Sequence, residues 1–180
     1  MPTRAVRVVV RSATADELLD LVGSFGQREY FADRITRQDR DQGVVIVAWL
    51  DERPVGDVYL WRSPAHEPEI EMHLPGVPEL NHLEIHPDHR SRGIGTQLIT
   101  HGEQLALQLG YQQITICVGV DNSRAHALYR RLGYVDWGHG TVDSSYAVYA
   151  PDGTVRHVTE TIHVLVKQFP VPRLATKGRR

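Results

Sequence analysis

Two glycines, Gly93 and Gly95, open a helix-forming segment and are flanked by Arg90, Ser91, Arg92 and Thr96. With no side chain at either glycine, the successive backbone N–H groups of this loop, that of Ile94 included, can approach an anion closely, and the helix dipole favours negative charge there. Arg90 and Arg92 add positive charge and the Thr96 hydroxyl adds a donor, so a pyrophosphate is the group this loop suits. About thirty residues later Asn122, Ala125 and Tyr129 recur at helical spacing, Asn122 and Tyr129 being seven residues apart, and so can meet one extended ligand. Glu84 lies in an alternating segment just before the glycine loop; beside an apolar pocket its pKa would rise, and it could take a proton from an ammonium. His82, His86 and His89 surround the same segment as alternative bases, and Cys117 sits in an apolar run where simple packing is the expected role. Each feature taken singly has a plainer reading: the glycines only turn the chain, Tyr129 packs at a helix end, and Glu84 faces solvent.

Other phosphate loops are excluded by their own requirements. The P-loop needs Gly-Lys-Ser/Thr after a four-residue gap, which is absent, and the dinucleotide fingerprint needs a small residue where Leu98 stands.

The elements that must position these residues are legible in part. Ala5 to Arg11 alternates as a strand, and capping and acidic residues from Ser12 to Glu17 lead into a helix through Leu18, Leu19, Leu21 and Val22. A second helix is expected within Gln27 to Asp41, turning Tyr30, Phe31 and Ile35 inward. Val44–Leu50 and Val55–Trp61 read as a hairpin closed by a loop of about four residues, Asp51 to Pro54. Glu69–Leu74 and Leu80–His86 alternate polar and apolar and read as half-buried strands. Ile94 to Leu109 forms one apolar helical face ended by Gly110; Gln113–Val120 is a strand, and Ser123–Leu132 a helix ended by Gly133. A Gly/Asp/Ser-rich loop then runs to Ser145, and Trp137 to Tyr149 is long enough to serve as a flap over a site; Asp152-Gly153 turns the chain, and Glu160–Lys167 is the last strand. Strands first, then strand-helix-strand-helix-strand, predict an α+β fold: a mixed, mostly antiparallel sheet with helices on both faces.

The cofactor loop, Arg90-x-x-Gly93-x-Gly95, and the later segment, Asn122-x-x-Ala125-x-x-Leu128-Tyr129 followed by Gly133-Tyr134, together resemble the GCN5-related N-acetyltransferase (GNAT) superfamily. The resemblance covers about a third of the chain, and the pairing of the two segments is far more specific than either alone. It implies a sheet whose fourth and fifth strands splay so that the pantetheine arm of acetyl-CoA slips between them. It further implies that Leu83, Ile85, Ser91, Ile94 and Thr96 join Arg90, Arg92, Gly93 and Gly95 around the cofactor, that Asn122 and Ala125 meet the pantetheine arm, and that Tyr129 protonates the leaving thiolate. By the same resemblance Glu84 would be the base and a backbone N–H near Ile85 the oxyanion donor. The expected activity is acetyl transfer from acetyl-CoA to a primary amine by direct attack in a ternary complex, with no metal; the alternative is a catalytically silent acyl-CoA sensor. Asp57, Glu67, Glu69, Glu71 and Glu84 would line the acceptor side, and the acceptor, small molecule or protein amine, stays open. A homodimer through Glu160–Lys167 is compatible with family habit.

Composition narrows the remaining classes. The chain has 180 residues, 41% of them hydrophobic, enough for one packed domain, expected over 1–170, with a basic tail over 171–180. A net charge of −2 lacks the basic excess that nucleic acid would require. A single cysteine excludes an internal disulfide, and no apolar run reaches the length of a leader or a membrane span, so a cytoplasmic location is expected.

Overall fold

The computed structural model describes residues 7–150 and 152–170; the expected strand residues Ala5 and Val6 and the basic tail over 171–180 lie outside them. The strands are β1 (Val8–Ser12), β2 (Gly43–Leu50), β3 (Arg53–Trp61), β4 (Glu79–Ile85), β5 (Gln113–Gly119), β6 (Val135–Tyr149) and β7 (Val155–Gln168). They form one sheet in the order β1-β2-β3-β4-β5-β7-β6, antiparallel except where β4 meets β5. The helices are α1 (Leu18–Phe25), α2 (Arg28–Asp39), α3 (Pro68–His73), α4 (Ile94–Gln108) and α5 (Ser123–Arg131). Among the described residues, no helix is long and apolar enough to cross a membrane.

The near-continuous apolar run of β2 follows from its central place, because alternate side chains feed two cores. Ile46 and Ala48 join Val58, Leu60, Leu80, Leu98 and Ile99 beneath α4, whereas Val45, Val47 and Trp49 join Leu21, Phe31, Tyr59 and Trp61 beneath α1 and α2. Helices therefore cover both faces. Gly102 marks how closely α4 lies on β4: a Cβ there would come within 2.6 Å of the Leu80 side chain.

Between β4 and β5 only Glu79↔Thr115 and Leu80↔Ile116 are paired. Beyond them β4 carries one residue more than β3 opposite it: Tyr59 faces Asn81 but Asp57 faces Glu84, and His82 turns left-handed with φ 55°. A bulge of this kind bends the strand that carries it and re-aims its side chains. The two strands part, which matches the splay implied by the resemblance.

Three expected elements differ. Glu69–Leu74 is not a strand but lies largely in helix α3, with Pro68 at its first position, Glu69 in its first turn and only Ile70 buried. Over six residues, alternation does not separate strand from helix, and Pro68 preorganises the helical start. The expected loop to Ser145 is strand β6, paired with β7, which begins at Val155 rather than Glu160. Gly138 and Gly140, both left-handed at φ 87° and 84°, sit where the ladder shifts register between Asp136 and Thr141, so those glycines mark a bulge inside a long strand. The hairpin loop contains two residues, Asp51 and Glu52, with Leu50 already paired to Arg53.

Candidate active site

Between the parted strands and the arm formed by β6 and β7 lies a cavity of about 690 Å³, to which Leu83, Glu79, Cys117, Asn122 and Tyr129 contribute. Ahead of α4, whose Gly95 faces the cavity residue Leu83, the turn passes through two left-handed residues, Ser91 at φ 61° and Gly93 at φ 75°. The α4 N-terminus has no side-chain cap and no acidic residue in its first turn, and its earliest return bond is Gln97 N to Gly93 O at 3.2 Å. The amides of Ile94, Gly95 and Thr96 precede that bond and are free for an anion. Arg90 Nε donates to the Ile85 carbonyl (3.1 Å), fastening the loop to the end of β4, and Arg124 donates to Ser91 Oγ (3.0 Å), fastening it to α5. Arg90 and Arg92 are exposed, Gly95 faces Leu83, and Ile94 is buried in the core as an anchor.

Asn122 caps α5 rather than lying within it: its side-chain oxygen accepts from Ala125 N at 3.1 Å. That fixes the side chain and leaves its NH2 to donate to a ligand. Ala125 is half-buried on the same helix, and Tyr129 is 6% exposed. Burial, assisted by nearby Cys117, pushes the Tyr129 phenol up to about 12, so it holds its proton at neutral pH.

The carboxylates divide sharply. Glu84, expected to be raised, is lowered: the His82 imidazole beside it, with Nε2 3.4 Å from Oε2, outweighs its burial, and Gln27 Nε2 donates to the same oxygen at 2.9 Å. Burial instead raises two other carboxyls. Asp57 is 0% exposed and lies directly across from Glu84, whose charge lifts it further. Glu79, at the last paired level of β4, is pushed up to about 8 by burial and then by Glu67, against the opposing influence of the Cys117 thiol.

Of the acidic residues expected on the acceptor side, Glu67 lines the cavity and accepts a hydrogen bond from Ser144 Oγ, while Asp57 and Glu84 meet behind its wall. Glu69 is exposed, and Glu71 is occupied by the Ala65 amide at 2.9 Å. Glu79 and Glu160 line the cavity and were not anticipated. Glu79 directly precedes the alternating segment Leu80–His86 that holds Glu84, and the feature that sets it apart is its pairing with Thr115, which only the folded sheet reveals. His82 contributes to the cavity, whereas His86 and His89 stand beyond the end of β4 with their rings 5.8 Å apart. Burial and then Glu79 push the Cys117 thiol well up, which suits packing rather than nucleophilic attack.

Residues 12–134 match the acetyltransferase (GNAT) family. The chain is 34% identical over 98 residues to an uncharacterized N-acetyltransferase of Methanocaldococcus jannaschii, covering 53% of this chain and 40% of that protein. It is 30% identical over 146 residues to a mycothiol acetyltransferase of Clavibacter sepedonicus, covering 77% of this chain and 45% of that one. The chain thus spans less than half the length of these two relatives. Its fold matches that of a GNAT family acetyltransferase from Elizabethkingia anophelis with acetyl-CoA bound, at TM-score 0.61 and 15% identity, over 90% of this chain and 98% of the other. With the family match spanning more than half of its residues and the parted strands, glycine turn and capped α5 all in place, the chain belongs to the GNAT acetyltransferase family.

Proposed function

We propose that this chain transfers the acetyl group of acetyl-CoA to a primary amine by direct attack in a ternary complex. The observation that carries the reading is the parting of β4 and β5 after Leu80 and Ile116, with Tyr129 and Glu79 lining the cavity there and the free α4 amides beside Leu83. The α4 amides, with Arg90 and Arg92, hold the pyrophosphate. The pantetheine arm lies along the unpaired edge of β4 beyond Leu80, near Leu83 and Ile85, with Asn122 and Ala125 on its other side.

The amine nitrogen attacks the thioester carbonyl carbon. A β4 backbone N–H beyond the last paired residue, in the region of Ile85, stabilises the oxyanion. As the C–S bond breaks, the Tyr129 hydroxyl gives its proton to the departing sulfur. The proton lost by the ammonium goes to Glu79 in preference to Glu84, because a carboxyl raised to about 8 is a stronger base than one held below its ordinary value. Glu67 and Glu160 make the acceptor side favourable for a cationic amine, carried by a small molecule or by a peptide.

Titration calorimetry with acetyl-CoA, and with NADH and ATP as controls, tests the cofactor reading; selective acetyl-CoA binding is expected, and a folded sample that ignores it overturns the proposal. Binding without thiol release across a broad amine panel would instead support a silent acyl-CoA sensor.

A further inference from the structure

Asp57, His82 and Glu84 each bring one metal-ligating atom into a cluster whose members all lie within 4.8 Å of one another. We propose that this cluster is a binding site for one divalent first-row transition-metal ion, held by a carboxylate oxygen of Asp57, Nε2 of His82 and a carboxylate oxygen of Glu84.

The cluster lies where β3 and β4 face α2, and three independent features aim it at a cation. Asp57 is fully buried, and neither of its carboxylate oxygens has a hydrogen-bond partner. A buried, unpartnered carboxylate is costly, and placing a second carboxylate, Glu84, directly opposite raises that cost. His82 Nε2 is likewise buried without a well-formed hydrogen bond. A proton on Asp57 would cancel one charge but would leave His82 Nε2 only its long 3.4 Å approach to Glu84 Oε2. A cation satisfies all three groups together.

The second feature is the backbone. His82 and Glu84 stand two positions apart on β4, and the extra residue and left-handed turn at His82 lie within the stretch that sets both beside Asp57. Third, the ligands are braced from outside: Gln27 Nε2 donates to Glu84 Oε2 at 2.9 Å, and the Tyr30 ring packs at a tilt against the His82 imidazole, 3.9 Å between centroids. Outer contacts of this kind fix ligand orientation in metal sites.

One imidazole with two carboxylates suits Zn2+, Mn2+ or Fe2+; the nitrogen argues against Ca2+ and Mg2+, and the lack of a thiolate argues against Cu+. Three protein ligands leave a coordination position open, and His82 is the ligand residue that also contributes to the cavity wall.

The test uses the full chain with any affinity tag removed. It is stripped with chelator, incubated with Zn2+ or Co2+, freed of excess metal on a sizing column, and assayed for bound metal. About one ion per chain is expected, with a Co2+ visible band, and Asp57→Asn, His82→Gln and Glu84→Gln are each expected to weaken binding by at least roughly 10-fold, the least that losing even an outer partner of a ligand costs. Should Asp57→Asn fail to fold, the half-buried His82 and Glu84 positions decide. A stripped chain that emerges without metal, or folded His82→Gln and Glu84→Gln variants that bind like the parent, overturns the proposal. Acetyl transfer is not among these readouts, so the site stands or falls independently of the proposed reaction.

Discussion

Leu80 pairs with Ile116, and beyond that pair β4 and β5 share no further partners. The apex of the gap is therefore fixed by a side chain that also packs under α4, where the Leu80 methyl groups leave no room for a Cβ on Gly102. Gly102→Val should push α4 off β4, lowering stability by roughly 1–3 kcal/mol as overpacked cores do, and it should weaken acetyl-CoA binding because the cradle and the gap are set by that packing. Thermal melts and calorimetry check both; an unshifted melting temperature would contradict the close approach.

Gly93 holds φ 75° at the start of the cradle, a conformation that costs an ordinary side-chain-bearing residue roughly 1–2 kcal/mol and suits a β-branched one least. Gly93→Val is expected to abolish acetyl-CoA binding while the chain stays folded. Retained affinity would place the phosphates elsewhere.

Tyr129→Phe removes only the hydroxyl from a buried ring. Acetyl-CoA affinity should stay nearly intact while kcat falls roughly 10²-fold, the scale of a lost general acid. Equal turnover would show that the leaving sulfur takes its proton from another donor.

Glu79 should imprint its ionisation on rate and on stability. The rate should rise with pH through about 8, and Glu79→Gln should flatten that rise. For stability the sign is opposite. A carboxyl raised in the folded state binds its proton more tightly there than in the unfolded chain, so stability falls as pH climbs from the ordinary carboxyl range through about 8. Glu79→Gln should therefore melt closer to, or above, the parent at pH 8.5 and lose that advantage at pH 5. Matching pH–rate profiles in the two proteins would rule Glu79 out as the proton acceptor.

The legible parts were those governed by local rules. Gly93, Gly95 and the apolar face from Ile94 onward announce turn and helix, because each reports on its own few neighbours, whereas the capping role of Asn122 emerges only in the folded chain. Glu79 stands just before the alternating segment that holds Glu84, yet the fold half-buries it at the apex near Glu67 and sets Glu84 beside His82 and Gln27. What separates them is a one-residue bulge and a parallel partner more than thirty residues away, neither of which leaves a local pattern. The same holds for β6, whose inward residues are as small as Ser144 and whose glycines mark a bulge within the ladder.

The most direct test of the account is free-thiol release from acetyl-CoA by the purified chain across a panel of primary amines, with Tyr129→Phe run alongside and the acetylated product identified by mass. Amine-dependent thiol release that falls sharply in Tyr129→Phe, with a mass gain of one acetyl group on the amine, is the predicted result. A folded chain that binds acetyl-CoA and releases no thiol with any amine would contradict it.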